Sequence, residues 1–264
     1  MIDKVLNPYV LIVINIGIII ATEMSGMVFM DTGIIHGIAI LFIILALTRI
    51  MIPRTITDPT LKKFVSAAFI ALVIFAASHV AEFLGYFLTG TYNDASFANV
   101  ANFYIVSLFT LIIGIEIVLK SYYERSKIIL WVSTIGIIIA AALTVLFFIK
   151  PDMITLDPGS IVPYIYVVAI VGVTGFGFVN LLEVKRVAPE IAIFTNYISG
   201  ASALIAISAL VNVLYEVLSD SFGVADYQAM YLAHFAFYIS LSVLFLSFGK
   251  PLEGKGLHAA PASS

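Results

Sequence analysis

The chain has 264 residues, 62% of them hydrophobic and 11% charged, with a formal net charge of −3. A soluble domain of this size needs far more charged surface, so the composition points to a polytopic membrane protein and offers no basic footprint for nucleic acid. Cysteine is absent, which excludes disulfides, thiolate metal sites and cysteine nucleophiles.

A helix that crosses the hydrocarbon needs about 20 largely apolar residues. Eight runs meet that length, at 8–30, 32–52, 64–89, 97–119, 128–149, 161–184, 191–218 and 228–249. The first follows Lys4, but it is too long for the apolar region of a signal peptide and lacks a small-residue cleavage site. Turn chemistry separates the runs. Met30-Asp31-Thr32-Gly33 makes the tightest break, and Pro53 and Pro59 divide the second run from the third. Gly90 with Asn93-Asp94 follows the third, Pro151 and Asp157-Pro158-Gly159 divide the fifth from the sixth, and Pro189 precedes the seventh. The expected fold is an all-α, polytopic integral membrane bundle of eight transmembrane helices. It forms a single domain over 1–250, followed by a short disordered tail at 251–264.

Cationic side chains resist translocation, so loops rich in Lys and Arg stay cytoplasmic. With eight spans, one side collects Lys4, Arg49, Arg54, Lys62, Lys63, Lys120, Arg125, Lys127, Lys185, Arg186, Lys250 and Lys255, leaving only Lys150 opposite. Both termini are therefore expected in the cytoplasm, with the protein multi-pass in the cell membrane. At an offset of 134 residues Glu82 aligns with Glu216, and Phe103-Tyr104-Ile105 with Phe237-Tyr238-Ile239. This raises a 4+4 parallel duplication with halves 1–125 and 126–250, set against chance similarity between apolar segments.

Ionisable groups inside spans are costly and invite a functional reading. The non-cytoplasmic half collects them: Glu23, His36, His79, Glu82, Glu216 and His234, with Asn99, Asn102 and Asn212. His79, Glu82 and Tyr86 share a helical face by their i, i+3, i+7 spacing, as do Tyr227, Tyr231, His234 and Tyr238. Ser208, Asn212 and Glu216 form a third stripe. His79 and His234 lie roughly 15 and 10 Å below that surface at 1.5 Å per residue.

Imidazole with carboxylate suits a transition metal, and two imidazoles from separate helices can hold a haem. His79, Glu82, His234, Glu216 and His36 are the expected metal donors. His79, His234, Tyr231 and Tyr238 are the expected cofactor contacts. The plainer alternatives are a hydrogen-bonded interfacial histidine for His36, snorkelling for Glu23 and Glu216, and an aromatic belt for the tyrosines, although Tyr238 is too deep for a belt. Glu116 and Glu183 read as interfacial partners of Lys120 and of Lys185-Arg186. Gly172, Gly175 and Gly177 read as a helix-packing stripe. His258 sits in the tail, away from any site.

A retinal protein is excluded because no lysine lies deep in a run, and no nucleophile elbow exists for a serine hydrolase. The reading these residues favour is a binding or electron-transfer subunit that holds a metal or haem near the extracytoplasmic face. Its partners would be the bilayer and other membrane subunits. A cation- or proton-coupled transporter or channel using Glu82 and Glu216 is the alternative. A sensory input module and a zinc hydrolase using His79, His234 and Glu82 also stay open.

Overall fold

The computed structural model describes residues 10, 13, 14, 17, 56, 58–89, 94–224 and 226–247, the side chains at 79, 81–89, 226, 227, 230, 245 and 246 excepted. Nearly all of the first apolar run, the whole of the second, Glu23, His36 and the tail with His258 lie outside these residues. So do the breaks at 30–33 and 53 on which a count of eight depends.

The described residues form α1 (Pro59–Thr89), α2 (Asp94–Leu119), α3 (Ile128–Ile149), α4 (Val162–Val187), α5 (Ala192–Val213), α6 (Tyr215–Phe222) and α7 (Asp226–Ser247). Five stretches are long and apolar enough to cross a membrane: Pro59–Ser78, Asp94–Leu119, Ile128–Ile149, Val162–Val187 and Pro189–Val213. A helix of 22–26 residues reaches about 33–39 Å, which spans a hydrocarbon core. The chain is a helical membrane protein.

Local chemistry sets the helix boundaries. The Asp58 carboxylate accepts the Leu61 N–H at 2.7 Å, and Pro59 supplies the pre-set φ of a first helical position. Pro59 therefore opens α1 at residue 59 rather than separating it from a helix that starts at 64. The expected seventh run, 191–218, is two helices. α5 stops at Val213, Leu214 departs from helical backbone at φ −103°, and α6 follows with the amphipathic sequence Tyr-Glu-Val-Leu-Ser-Asp-Ser-Phe. Gly223 closes α6 at φ 66°, with its N–H on Ser219 O and the Val224 N–H on Leu218 O. This left-handed cap favours glycine.

Successive long helices run antiparallel, so the bundle has an Arg125 end and an Asp94 end. Seven of the eight described cations (Lys62, Lys63, Lys120, Arg125, Lys127, Lys185, Arg186) belong to the first, and Lys150 to the second. α2 is the central helix, packed against α1, α3, α4 and α5, while α7 packs on α5. Its apolar stretch is 67% buried, against 17% for α3. α3 instead presents Trp131, Ile135, Ile138 and Ile139 outward, the face that lipid would cover. The fully buried Phe75 ring of α1 meets Tyr104 of α2 at 6.1 Å and Phe237 of α7 at 4.9 Å. That contact ties α7 to α1.

Close approach uses different glycines from those the sequence singled out. A Cβ at Gly172 or Gly175 would meet no described atom within 4 Å, and one at Gly177 would make only ordinary contact with Leu108. A Cβ at Gly136 of α3 would run into the Phe109 ring, and one at Gly114 of α2 would lie 2.6 Å from the Ala67 Cβ of α1. Gly114→Ala is expected to destabilise the protein by about 1–3 kcal/mol through overpacking, whereas Gly175→Ala should stay within about 0.5 kcal/mol or gain from helix propensity. Unfolding in detergent followed by circular dichroism checks this, and equal losses in both variants would contradict the assigned interface.

Candidate binding site at the Asp94 end

Three helices, with α5 packed against both α2 and α7, carry polar side chains into the interior near the Asp94 end. On α2, Asn99 and Asn102 are buried within the turns after Asp94. On α5, Ser208 and Asn212 are buried in the closing turns. On α7, His234 is 1% exposed, with Tyr231 and Tyr238 also buried and the Tyr238 ring 6.3 Å from the imidazole. At 1.5 Å per residue these groups lie within about 2–18 Å of their helix ends, so they form a polar layer that fills the half of the bundle nearest the Asp94 end. Tyr238, expected to be too deep for an interfacial belt, is indeed a core residue at 1% exposure.

Hydrogen bonding in this layer is incomplete. Tyr166 of α4 donates to Asn102 Oδ1 at 2.9 Å. Asn99 Oδ1, Asn102 Nδ2, Ser208 Oγ and Asn212 Nδ2 are shielded from solvent and meet no partner among the described residues. An unmet buried polar atom costs about 1–3 kcal/mol, so four in one layer call for ordered water or a ligand.

The expected histidine pair is positioned by its backbone. Residue 79 stands four positions beyond Phe75 on α1, and His234 three positions before Phe237 on the antiparallel α7. Both therefore lie about one turn closer to the Asp94 end than the 4.9 Å ring contact between their helices. The side chains of His79, Glu82, Tyr86 and Tyr227 fall outside those described. Among the described residues no three His, Asp or Glu side chains gather as a metal site.

Glu216 has different surroundings from those expected. The break at Leu214 takes it off the Ser208–Asn212 stripe and onto α6, where Glu216 Oε1 lies 2.9 Å from the Tyr215 hydroxyl. The same hydroxyl lies 2.8 Å from Asp94 Oδ1, and Asp94 Oδ2 accepts the Leu156 N–H at 2.8 Å. Burial holds the Glu216 carboxyl above its usual range; the Tyr215 hydrogen bond opposes the shift, and Asp94, Asp157 and Asp220 reinforce it. Burial, then the Asp94 hydrogen bond and charge, push the Tyr215 phenol far up.

Midway along the bundle, Tyr104 donates to Thr174 Oγ1 at 2.6 Å, and Thr174 donates onward to Ile170 O at 2.5 Å. Beside them Tyr104, Ser107, Ser202 and Ile205 line a cavity with room for about one water.

At the Arg125 end the sequence reading misses the principal cation. Glu116 of α2 is fully buried, and its partner is Arg125 at 3.0 Å rather than Lys120. Arg125 also reaches Glu183 Oε2 at 2.8 Å and Asn180 Oδ1 at 3.0 Å on α4, while Arg186 stands 3.7 Å from Glu183. Nearby, Tyr122 donates to Glu190 at 3.3 Å, and burial with the Glu190 charge pushes its phenol up to about 12. Arg125 lies in a connection without helical periodicity, so spacing gives no hint that it folds back between two helices.

Removing Arg125 strands the Glu116 carboxylate in the interior. Arg125→Met should cost about 3–5 kcal/mol, and Arg125→Met combined with Glu116→Gln should recover much of it. Reversible unfolding of both variants in detergent measures the difference, and equal stability of single and double variants would contradict the pairing.

No protein-family model, curated protein or solved structure matches the chain. The chemistry of these polar layers is therefore what speaks to function.

Proposed function

We propose that the chain is an integral membrane binding subunit that holds a transition-metal ion between His79 and His234, with Glu82 as a further donor or as the group orienting His79. The observation that carries this reading is the Phe75–Phe237 contact, which brings α1 and α7 together one turn below both histidines. The unmet amides of Asn99, Asn102 and Asn212 support it, because they give a bound ion's water ligands hydrogen-bonding partners in the same layer.

The excess of cations at the Arg125 end supports a cytoplasmic orientation for that end. The Asp94 end would then face away from the cytoplasm, as expected for a protein with eight spans and both termini inside. Neutral imidazole and carboxylate suit zinc, copper or iron. Short connections support a role inside a membrane complex, since the segment from 150 to 161 is the longest between described helices.

A transport reading has its own support. Buried polar groups recur along most of α2, from Asn99 through Asn102, Tyr104 and Ser107 to Glu116. In that reading Glu82 and Glu216 bind a cation or proton on the non-cytoplasmic side.

Metal analysis of purified wild type against His79→Ala and His234→Ala tests the first reading. Stoichiometric metal in the wild type and a loss of at least about tenfold in affinity in each variant are expected. Full retention by both variants, or a wild type that takes up no metal, would overturn it, and a Soret band would replace the ion with haem. Ion flux in proteoliposomes that Glu82→Gln and Glu216→Gln abolish, at unchanged metal content, would favour transport.

A further inference from the structure

α3 and α4 each pack on α2 but scarcely on each other, and each turns a long apolar face away from the other described helices. On α3, Trp131, Ile135 and Ile138 follow Lys127 by four, eight and eleven residues, so the four share one exposed face. On α4, Val168, Val171, Val179 and Leu182 are exposed, and Lys185 and Arg186 prolong that face through the last turn. Both outward faces thus end in cations, and both do so at the Arg125 end.

The Arg125 network sets these cations along one rim. Arg125 of the 120–127 connection reaches Glu183 at 2.8 Å and Asn180 at 3.0 Å on α4. Lys127 follows Arg125 by two residues, and Lys185 and Arg186 follow Glu183 by two and three. Their charge is largely unspent within the protein. Lys127 and Lys185 enter no ion pair with the described residues. The Arg186 guanidinium, 77% exposed, stands 3.7 Å from Glu183 Oε1, on a carboxylate whose other oxygen Arg125 already holds. Of the described carboxylates beside them only Glu124 is exposed.

We propose that this rim holds the headgroup of an anionic phospholipid, its phosphate against Lys127, Lys185 and Arg186 and its tails along the outward faces of α3 and α4. The inference stands apart from the metal site, which lies at the opposite end of the bundle. A guanidinium offers a phosphate a fork of N–H donors, and the two ammonium groups add point charge on either side. Trp131, one turn from Lys127, is the amphipathic side chain that settles at headgroup depth. A zwitterionic lipid fits less well, because its own ammonium opposes the three cations. A second copy of the chain fits less well too, since it would bring the same cations to the same rim.

Mass spectrometry of the intact protein, titrated in detergent with phosphatidylglycerol or phosphatidylcholine, tests the site. The wild type should bind phosphatidylglycerol at least about fivefold more tightly, the factor that one cation beside an anionic lipid supplies. Combining Lys127→Gln, Lys185→Gln and Arg186→Gln should bring phosphatidylglycerol down to the phosphatidylcholine level, with phosphatidylcholine binding unchanged. Lys62→Gln with Lys63→Gln, exposed on α1 at the same end, should keep the wild-type preference. A wild type that binds the two lipids equally, or a triple variant that keeps the preference, would overturn the proposal. So would an equal loss in the α1 variant, which would spread the preference over the whole cationic end, or a lipid-free dimer, which would put a second copy on these faces.

Discussion

Hydrocarbon gives a buried hydroxyl or amide nothing to bond with, so each polar group on α2 must find its partner on a neighbouring helix or in something trapped beside it. This requirement orders the bundle. Ser107 donates to Ala71 O of α1 at 2.6 Å, Tyr104 and Asn102 bond to Thr174 and Tyr166 of α4, and Glu116 draws in Arg125. Apolar packing alone would let α1 and α4 rotate about α2 at little cost. These bonds fix which face of each helix turns inward, because a rotated helix would leave its own partner stranded.

The two ends meet the requirement differently. At the Arg125 end one guanidinium faces two carboxylates and an amide oxygen, and its carbon also lies 5.8 Å from the centre of the Tyr123 ring. Charge is matched locally, and the connection at 120–127 is tied to both α2 and α4. At the Asp94 end carboxyl groups gather around a phenol, and the single described cation, Lys150, is exposed. The two ends thus differ in how their carboxyl groups are compensated.

Hydropathy made the helices legible, and the 128–149 run coincides with α3. Length and polarity carry that information without any knowledge of neighbours. The break at Leu214 was not legible, because Val-Leu-Tyr-Glu-Val-Leu reads as a continuing helix. It is Tyr215, reaching Phe97 and Asp94 some 120 residues away, that gives α6 its own direction. The same holds for Arg125, whose partners are 58 and 55 positions distant on α4. Polar stripes at helical spacing correctly put Asn212, His234 and Tyr238 inside the bundle. Which stripes face one another depends on helix order, and period contains no information about that. The aromatic contact between Phe75 and Phe237 supplies it for α1 and α7.

α3 carries the chain's sole tryptophan, and Trp131 is 63% exposed on the outward face, one turn from the Arg125 end. Indole emission follows the polarity of its surroundings, and in a bilayer those surroundings would be acyl chains and headgroups rather than a protein interior. Intrinsic fluorescence will consequently act as a depth gauge for α3 and stay largely blind to loss of the core. Brominated or spin-labelled lipids should quench it in the native state, so a spectroscopist following unfolding of this protein would be watching the bilayer.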